Sequence, residues 1–350
     1  MHSFVDLDRV LGVVPAPLVM TLRDIDRGQG SEGLYLHQVP DLLTELAHRA
    51  RVASITSSSA LEGIVVKSRT RAAAIIANKP IELRTRSEQE LAGYRAALDY
   101  LFAEEWRPLN VGLLLHLHRL LFADTKASGG TFKKSDNLVV DRSPDGVQTV
   151  RFKPVPAART EHYAAELVDR YVAATEANRH HPVLLVGLFV LDLLIIHPFD
   201  DGNGRVARAL TNALLAEAGY GVGRYVSLEQ LIAESADDYC RALLDSTHDW
   251  DDHAHDPWPW LAYFCTLLAR GYARFAEGVS ADRTGGTKAE RVREHVLRHG
   301  TTVFAISDIR AALPGISDPT IRLVLNELKD EGLLKPQGTG RSAVWLRVAT

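Results

Sequence analysis

Apolar positions recur at three- and four-residue steps in PDLLTELAHRARVASITSSSALEGIVV, from about residue 39, and that spacing predicts a helix. Residues 1–40 are mixed and carry little signal. Residues 86–122 read as two helices, RSEQELAGYRAALDYLF and LNVGLLLHLHRLLF. Pro108 lies between them, and proline is tolerated where a helix starts. The helical period then lapses. Residues 137–140 and 147–152 are short β-like runs, and Asp-Arg-Ser-Pro-Asp-Gly between them is turn chemistry, so a hairpin is predicted in an otherwise helical chain. Helical spacing resumes over 160–175, 182–196, 204–219 and 228–247, and again from Trp258 to about Val279. The run 182–196 is apolar on every face except at Asp192. It is too short to span a bilayer and predicts a buried helix.

The stretch SADRTGGTK, residues 280–288, is small and polar and reads as a linker. Beyond it come three helical segments, 289–299, 307–313 and 320–331. Two β-like runs follow at 334–336 and 343–348, joined by Gln-Gly-Thr-Gly-Arg. That order resembles a winged helix-turn-helix. The expected organisation is mainly α: an N-terminal helical region at 1–110, a helical core with a small hairpin at 111–279, the linker, and a C-terminal module at 289–350. Composition agrees with a globular protein, with 46% hydrophobic and 24% charged residues. The net charge of −4 does not announce a nucleic-acid or membrane partner. Cys240 and Cys265 are too few for a metal cage or disulfide framework, and MHSFVDLDRVLG carries no export signal; a cytoplasmic setting is expected.

One stretch concentrates chemistry: HPFDDGNGRVAR, residues 197–208. An apolar helix delivers His197 at its C-terminal end. Gly202, Asn203 and Gly204 follow, and then a new helix starts. Glycines allow a turn with converging N–H groups, and the helix start adds unpaired amides and a positive dipole end, which together make a nest for phosphate. The Asp201 carboxylate can hold Mg²⁺ or Mn²⁺ against phosphate oxygens. Arg205 and Arg208, three apart, can share one face and suit a polyphosphate. His197 is a base with an ordinary pKa near ~6.5. Each feature alone has a plain structural reading. Their conjunction in twelve residues points to phosphoryl or nucleotidyl transfer.

The stretch matches the Fic signature HxFx(D/E)GNGRxxR at every defined position, and HHPVLLVGLFVLDLLI before it is similar to the helix that precedes that loop in Fic proteins. The resemblance implies a Fic-type helical core and a protein adenylyltransferase, moving AMP from ATP to a Ser, Thr or Tyr hydroxyl of another protein or of the chain itself. It implies His197 as general base and Asp201 as the Mg²⁺ ligand. Backbone amides of Gly202, Asn203 and Gly204 would form the anion hole, Arg205 would hold phosphate and Arg208 the γ-phosphate, with Phe199 as core anchor. The predicted hairpin falls where Fic proteins carry a flap that aligns the target by strand pairing. GTFKKSDNLVV resembles the family stretch before it, with Gly130, Phe132 and Asn137 in place and Lys133 where Arg is usual. DDYCRALL resembles the segment supplying a Tyr near the nucleobase: Tyr239 matches, and Cys240 stands where a second Tyr is common. A half-buried core aromatic is the other reading of Tyr239.

Ser58-Ser-Ala-Leu-Glu62-Gly63 fits the (S/T)xxxE(G/N) motif of the Fic inhibitory helix. A Glu62 carboxylate paired with Arg208 would occupy the γ-phosphate ligand, and Ser58 would steady that helix. In some relatives the same Glu also supports removal of AMP, a reading left open here. Residues 287–350 carry ten basic and seven acidic side chains, net +3, which is mild for a DNA binder. Arg322, Lys335 and Arg341 are candidate phosphate contacts; protein docking or homodimer formation is the other reading of the module. Two functional alternatives stand beside the AMP transferase. One is a winged-helix regulator using the Fic domain as a nucleotide sensor. The other is a Fic transferase with a UMP, GMP or phosphocholine donor, because the phosphate loop does not read the base.

Overall fold

The computed structural model describes residues 2–38, 40–103, 106–142, 148–283, 287–299, 303–313, 316–337 and 344–348. Two compact units divide the chain, Met1–Phe275 and Ala276–Thr350. In the first, the helices are α1 (Leu7–Leu11), α2 (Ala16–Gln38), α3 (Pro40–Leu61), α4 (Arg69–Ile76), α5 (Arg86–Phe102) and α6 (Val111–Phe122). A hairpin of β1 (Val139–Arg142) and β2 (Gln148–Phe152) follows. Then come α7 (Ala157–Ala177), α8 (Pro182–Ile196), α9 (Asn203–Glu217), α10 (Leu228–Ala233), α11 (Ala236–Asp245) and α12 (Trp258–Arg283), whose residues from Ala276 on belong to the second unit. No helix of the described residues is long and apolar enough to cross a membrane.

Local chemistry sets the starts. Thr85, Asn110 and Ser227 each accept from the amide three residues on, at Glu88, Leu113 and Gln230, which satisfies donors that a helix leaves free. Pro182 opens α8, where its missing N–H costs nothing, and the His181 ring caps Val183. α8 is buried on all faces and packs between α7 and α9. Its one charged residue, Asp192, is fully buried but has partners: Ser3 Oγ donates to it at 2.6 Å and Trp250 Nε1 at 2.8 Å. Burial still pushes that carboxyl up to about 6.

Three elements differ from the expectation. Residues 16–38, where the sequence pattern carries little signal, form α2. Gly28 and polar residues blur the period there, but Leu18, Leu22 and Ile25 are buried and the Tyr272 ring occupies the space a side chain at Gly28 would need. Packing overrides propensity. The single helix expected at 228–247 is two, because Ser235 leaves helical geometry (φ −134°, ψ 38°) and returns its hydroxyl to the Leu231 carbonyl. The hairpin strands lie slightly later than expected and pair antiparallel with a bulge between Val139 and Val140. Of the predicted turn at 141–146, Asp141 and Arg142 belong to β1 instead, and 143–146 lie outside the described residues.

The second unit has its own core of Val296, Phe304, Ile321, Leu325 and Trp345. Its elements are α13 (Lys288–Glu294), a π-helical turn (His295–His299), β3 (Val303–Ala305), α14 (Ile306–Ala312), α15 (Asp318–Asp330), β4 (Leu334–Gln337) and β5 (Val344–Arg347). The sheet is antiparallel in the order β3-β5-β4. The three-residue β3 was not expected. Arg322 and Lys335 are exposed; Arg341 and the joint after Gln337 lie outside the described residues.

Candidate active site

His197 ends α8 in the left-handed region (φ 50°, ψ 62°), its amide still bonded to the Leu193 carbonyl. Such a conformation is uncommon for a residue with a Cβ and needs support from its surroundings. The ring supplies some: Nδ1 lies 3.2 Å from the Leu194 carbonyl, which can only accept. The proton therefore sits on Nδ1, and Nε2 carries the lone pair. Burial lowers the imidazole to about 4, with the nearby Lys133 charge adding to the effect, so the ring is neutral at physiological pH.

Phe199 is fully buried, and Asn203 closes the loop around it: the Phe199 amide donates to Asn203 Oδ1 at 2.9 Å, and Asn203 Nδ2 returns to the Phe199 carbonyl at 2.8 Å. Gly202 turns the chain with φ 84°, and α9 begins. The Asn203, Gly204 and Arg205 amides fall in the first turn of α9, for which a helix supplies no acceptor of its own. The Gly202 amide donates to Asp201 Oδ1 at 2.6 Å. The loop thus presents a neutral base at one end and an anion nest at the other.

Arg208 is buried, and three bonds tie it to α3: Nε donates to Ser58 Oγ at 2.9 Å, and Nη2 to the Ser58 carbonyl at 3.0 Å and to Glu62 Oε1 at 2.8 Å. Burial works against the guanidinium charge, but the Glu62 carboxylate together with Tyr239 and Tyr94 holds the pKa above its usual value. The contact to Glu62 is through one carboxylate oxygen. Glu62 lies just past the end of α3, where Gly63 takes φ 74° and the Ile64 amide folds back on the Ser59 carbonyl. Gly204 is the floor of this pair. A Cβ there would collide with Glu62 Oε1 and lie 2.8 Å from Arg208 Nη1. The Glu62 carboxylate therefore rests on the helix start whose amides form the nest.

Arg205 and Arg208 do not act as a pair; they take different partners. Arg205 is fully buried, donates to Glu90 of α5 at 2.6 Å and to Asp201 at 3.4 Å, and lies over the Phe122 ring at 5.1 Å. Arg86 bonds Glu90 and reaches Asp201 at 3.3 Å. The Asp201 side chain remains about half exposed, at 53%. A hard carboxylate oxygen beside the unpaired amides of a helix start is donor chemistry suited to Mg²⁺ or Mn²⁺, which are commonly held by one or two carboxylates plus substrate phosphates. Among the described residues no cluster of three or more His, Cys, Asp or Glu side chains offers a protein-only cage.

Residues 118–137 hold the loop from outside. Lys133, buried, donates from its amide to the Pro198 carbonyl at 3.0 Å, and from Nζ to the Ile196 carbonyl at 3.2 Å and to Asn137 Oδ1 at 2.9 Å. Burial lowers this ammonium to about 8. Asn137 Nδ2 donates to the Phe199 carbonyl at 3.1 Å. His118 reaches the Asp201 carbonyl at 3.2 Å and stacks on Phe199 at 3.9 Å. Tyr239 is half-buried against Trp260 and Tyr263 and lines, with Val139, Phe152, Cys240 and His197, a largely apolar cavity of about 110 Å³. Burial pushes its phenol up to about 12.

The structure thus brings Ser58 and Glu62 to the loop 197–208, with Gly63 turning the chain after them, and sets Tyr239 beside His197. Sequence reading missed Arg86, Glu90 and His118. HR at 118–119 and RSEQE at 86–90 gave no local signal, because a lone His on an apolar helix and charges at i,i+4 are ordinary surface and core patterns.

Residues 108–215 match the Fic/DOC family. The chain is 32% identical over 134 residues to a protein adenylyltransferase Fic of Drosophila grimshawi, covering 37% of this chain and 26% of that relative. It is 28% identical over the same length to the Drosophila melanogaster protein of that name. The chain therefore spans about a quarter of the length of the curated relatives it matches. A Fic family protein from Desulfovibrio desulfuricans G20 superposes with a TM-score of 0.63 at 21% identity, over 97% of this chain and 98% of that one. Fic-1 of C. elegans does so with a TM-score of 0.58 at 18% identity, over 77% and 76%. These likenesses show the fold.

Proposed function

Because residues 108–215 form a domain of the Fic/DOC family, we propose that the protein is an adenylyltransferase that moves AMP from ATP to a protein hydroxyl and restrains itself through Glu62. The observation that carries this reading is one site with two halves. A neutral His197, with Nε2 free to accept, stands at one end of a loop whose other end is an anion nest, and the arginine beside that nest is occupied by Glu62.

In the proposed reaction the ATP phosphates lie on the amides of Asn203 and Gly204, and on that of Gly202 once the Asp201 carboxylate, which accepts from it here, turns away. The target hydroxyl oxygen forms a bond to the α-phosphorus as the bond from that phosphorus to the α–β bridging oxygen breaks, and pyrophosphate leaves. His197 Nε2 takes the hydroxyl proton. Asp201 would hold Mg²⁺ or Mn²⁺, which neutralises phosphate charge when bound. Arg205, committed to Glu90, aligns the loop and can lend one N–H to phosphate. Arg208 is the ligand for the γ-phosphate. While Glu62 and Ser58 hold it, ATP lacks that anchor. Misplacement by about an ångström can cost ~10²-fold in rate. The cavity between the hairpin and Tyr239 would take the nucleobase.

The test is incubation of the parent chain and of Glu62→Gly with α-labelled ATP, UTP and GTP in turn. Label should appear on protein from ATP, and much more with Glu62→Gly. Equal labelling by both chains would remove Glu62 from control. Labelling only from another nucleotide would change the donor.

A further inference from the structure

His118 lies in α6, one helix away from the loop, and touches none of the atoms assigned to substrate. It is 4% exposed, yet both of its ring nitrogens have partners. The Gly130 amide, 2.9 Å away, can only donate, so Nδ1 accepts. In a neutral ring the proton is then on Nε2, which donates to the Asp201 carbonyl at 3.2 Å. The ring plane is fixed by its stack on Phe199, 13° from parallel. Two glycines allow this. A Cβ at Gly129 would lie 2.7 Å from the His118 carbonyl, and Gly130 has φ 83° with Arg119 against its backbone. The 129–130 turn can thus lie directly on α6 and present its amide to the ring.

The Asp201 carbonyl belongs to the peptide that also contains the Gly202 N–H. A trans peptide is planar, with its C=O and N–H pointing opposite ways, so fixing the one aims the other. We propose that His118 is a positioning residue for the transfer step: through the Asp201 carbonyl it aims the Asp201–Gly202 peptide, and with it the first amide of the nest and the carboxylate that would hold the metal. This rests on the roles given above to Asp201 and Gly202.

The test uses the full chain carrying Glu62→Gly as the starting protein. His118→Phe keeps a ring on Phe199 and removes both hydrogen bonds. His118→Gln restores a donor and an acceptor without the stack. Two quantities are read: kcat and KM for ATP in label transfer, and Mn²⁺ binding with ATP present, followed by the spin-resonance signal of free Mn²⁺. His118→Phe should lose about 10–100-fold in kcat and in Mn²⁺ affinity, the scale typical of groups that orient a metal ligand, and His118→Gln should recover most of both. Starting-protein values in His118→Phe, or no recovery in a folded His118→Gln, would overturn the proposal. Should His118→Phe fail to fold, the ¹⁵N shifts of His118 in the starting protein decide: an Nδ1–H tautomer overturns it and Nε2–H supports it. Asp201→Ala in the same background separates the two readings, since undiminished Mn²⁺ binding there would overturn the role of Asp201 itself.

Discussion

At the scale of single residues, His197 carries the clearest consequence of burial. Its neutral form persists down to about pH 4 instead of giving way near the ordinary value. A lowered pKa keeps a base competent above that value and loses it as pH falls through it. The acid limb of kcat/KM for the Glu62→Gly chain should therefore lie near pH 4–5 on account of this residue. A limb centred near ~6.5 would mean an imidazole in contact with water. His197→Ala should leave ATP affinity within a few-fold by calorimetry and lower transfer by about 10²–10⁴, because in the proposed reaction the ring acts on the incoming hydroxyl. The candidate loop was legible because twelve consecutive residues hold a histidine, a carboxylate, a Gly-Asn-Gly helix start and two arginines. Glu90 and His118 were not: their bonds to Arg205 and Asp201 cross 115 and 83 residues of sequence, and buried polar pairing at that range leaves no periodic trace.

Elements turn these residues into a mechanism. Ser58 and Glu62 are four apart and meet Arg208 together from the end of α3. Glu62→Gly should raise label transfer sharply, whereas Arg208→Ala should not, since it removes the phosphate ligand along with the restraint. The double variant should match Arg208→Ala, as residues sharing one interaction are not additive; initial rates of the four chains decide it. The junction of α8 and α9 gives a second prediction. Asn203→Ala leaves the buried Phe199 amide without its acceptor, while the Phe199 carbonyl keeps Asn137. It should cost about 1–3 kcal/mol in denaturant unfolding and also impair transfer. Sequence spacing found α8 to the residue and α9 to within two, because an apolar run and a Gly-Asn-Gly start are strong local signals. It missed α2, whose helicity depends on packing around Gly28. It also joined α10 to α11, whose break rests on the Ser235 backbone and the return of its hydroxyl.

On the scale of the whole molecule, two units each bury their own core, and every residue given a catalytic, nucleotide or inhibitory role lies at or before Tyr239. A chain ending at residue 286 should fold by circular dichroism and, with Glu62→Gly, keep its label transfer within a few-fold; loss of transfer in a folded chain would make residues 287–350 part of the active assembly. Among the described residues, the three acceptors on Arg208 come from the end of α3 and the residue that follows it in the same chain. On the proposed reading Glu62 is a tethered competitor of the γ-phosphate, present at an effective concentration that dilution of the protein cannot lower. If α3 is seated all but about 1% of the time, the productive affinity for ATP falls about 100-fold while the chemistry after seating is unchanged. Whatever draws α3 aside would then register in kinetics as a gain in ATP affinity, and a cell could set the enzyme's output through its ATP level or through a partner of α3 without touching the reacting atoms.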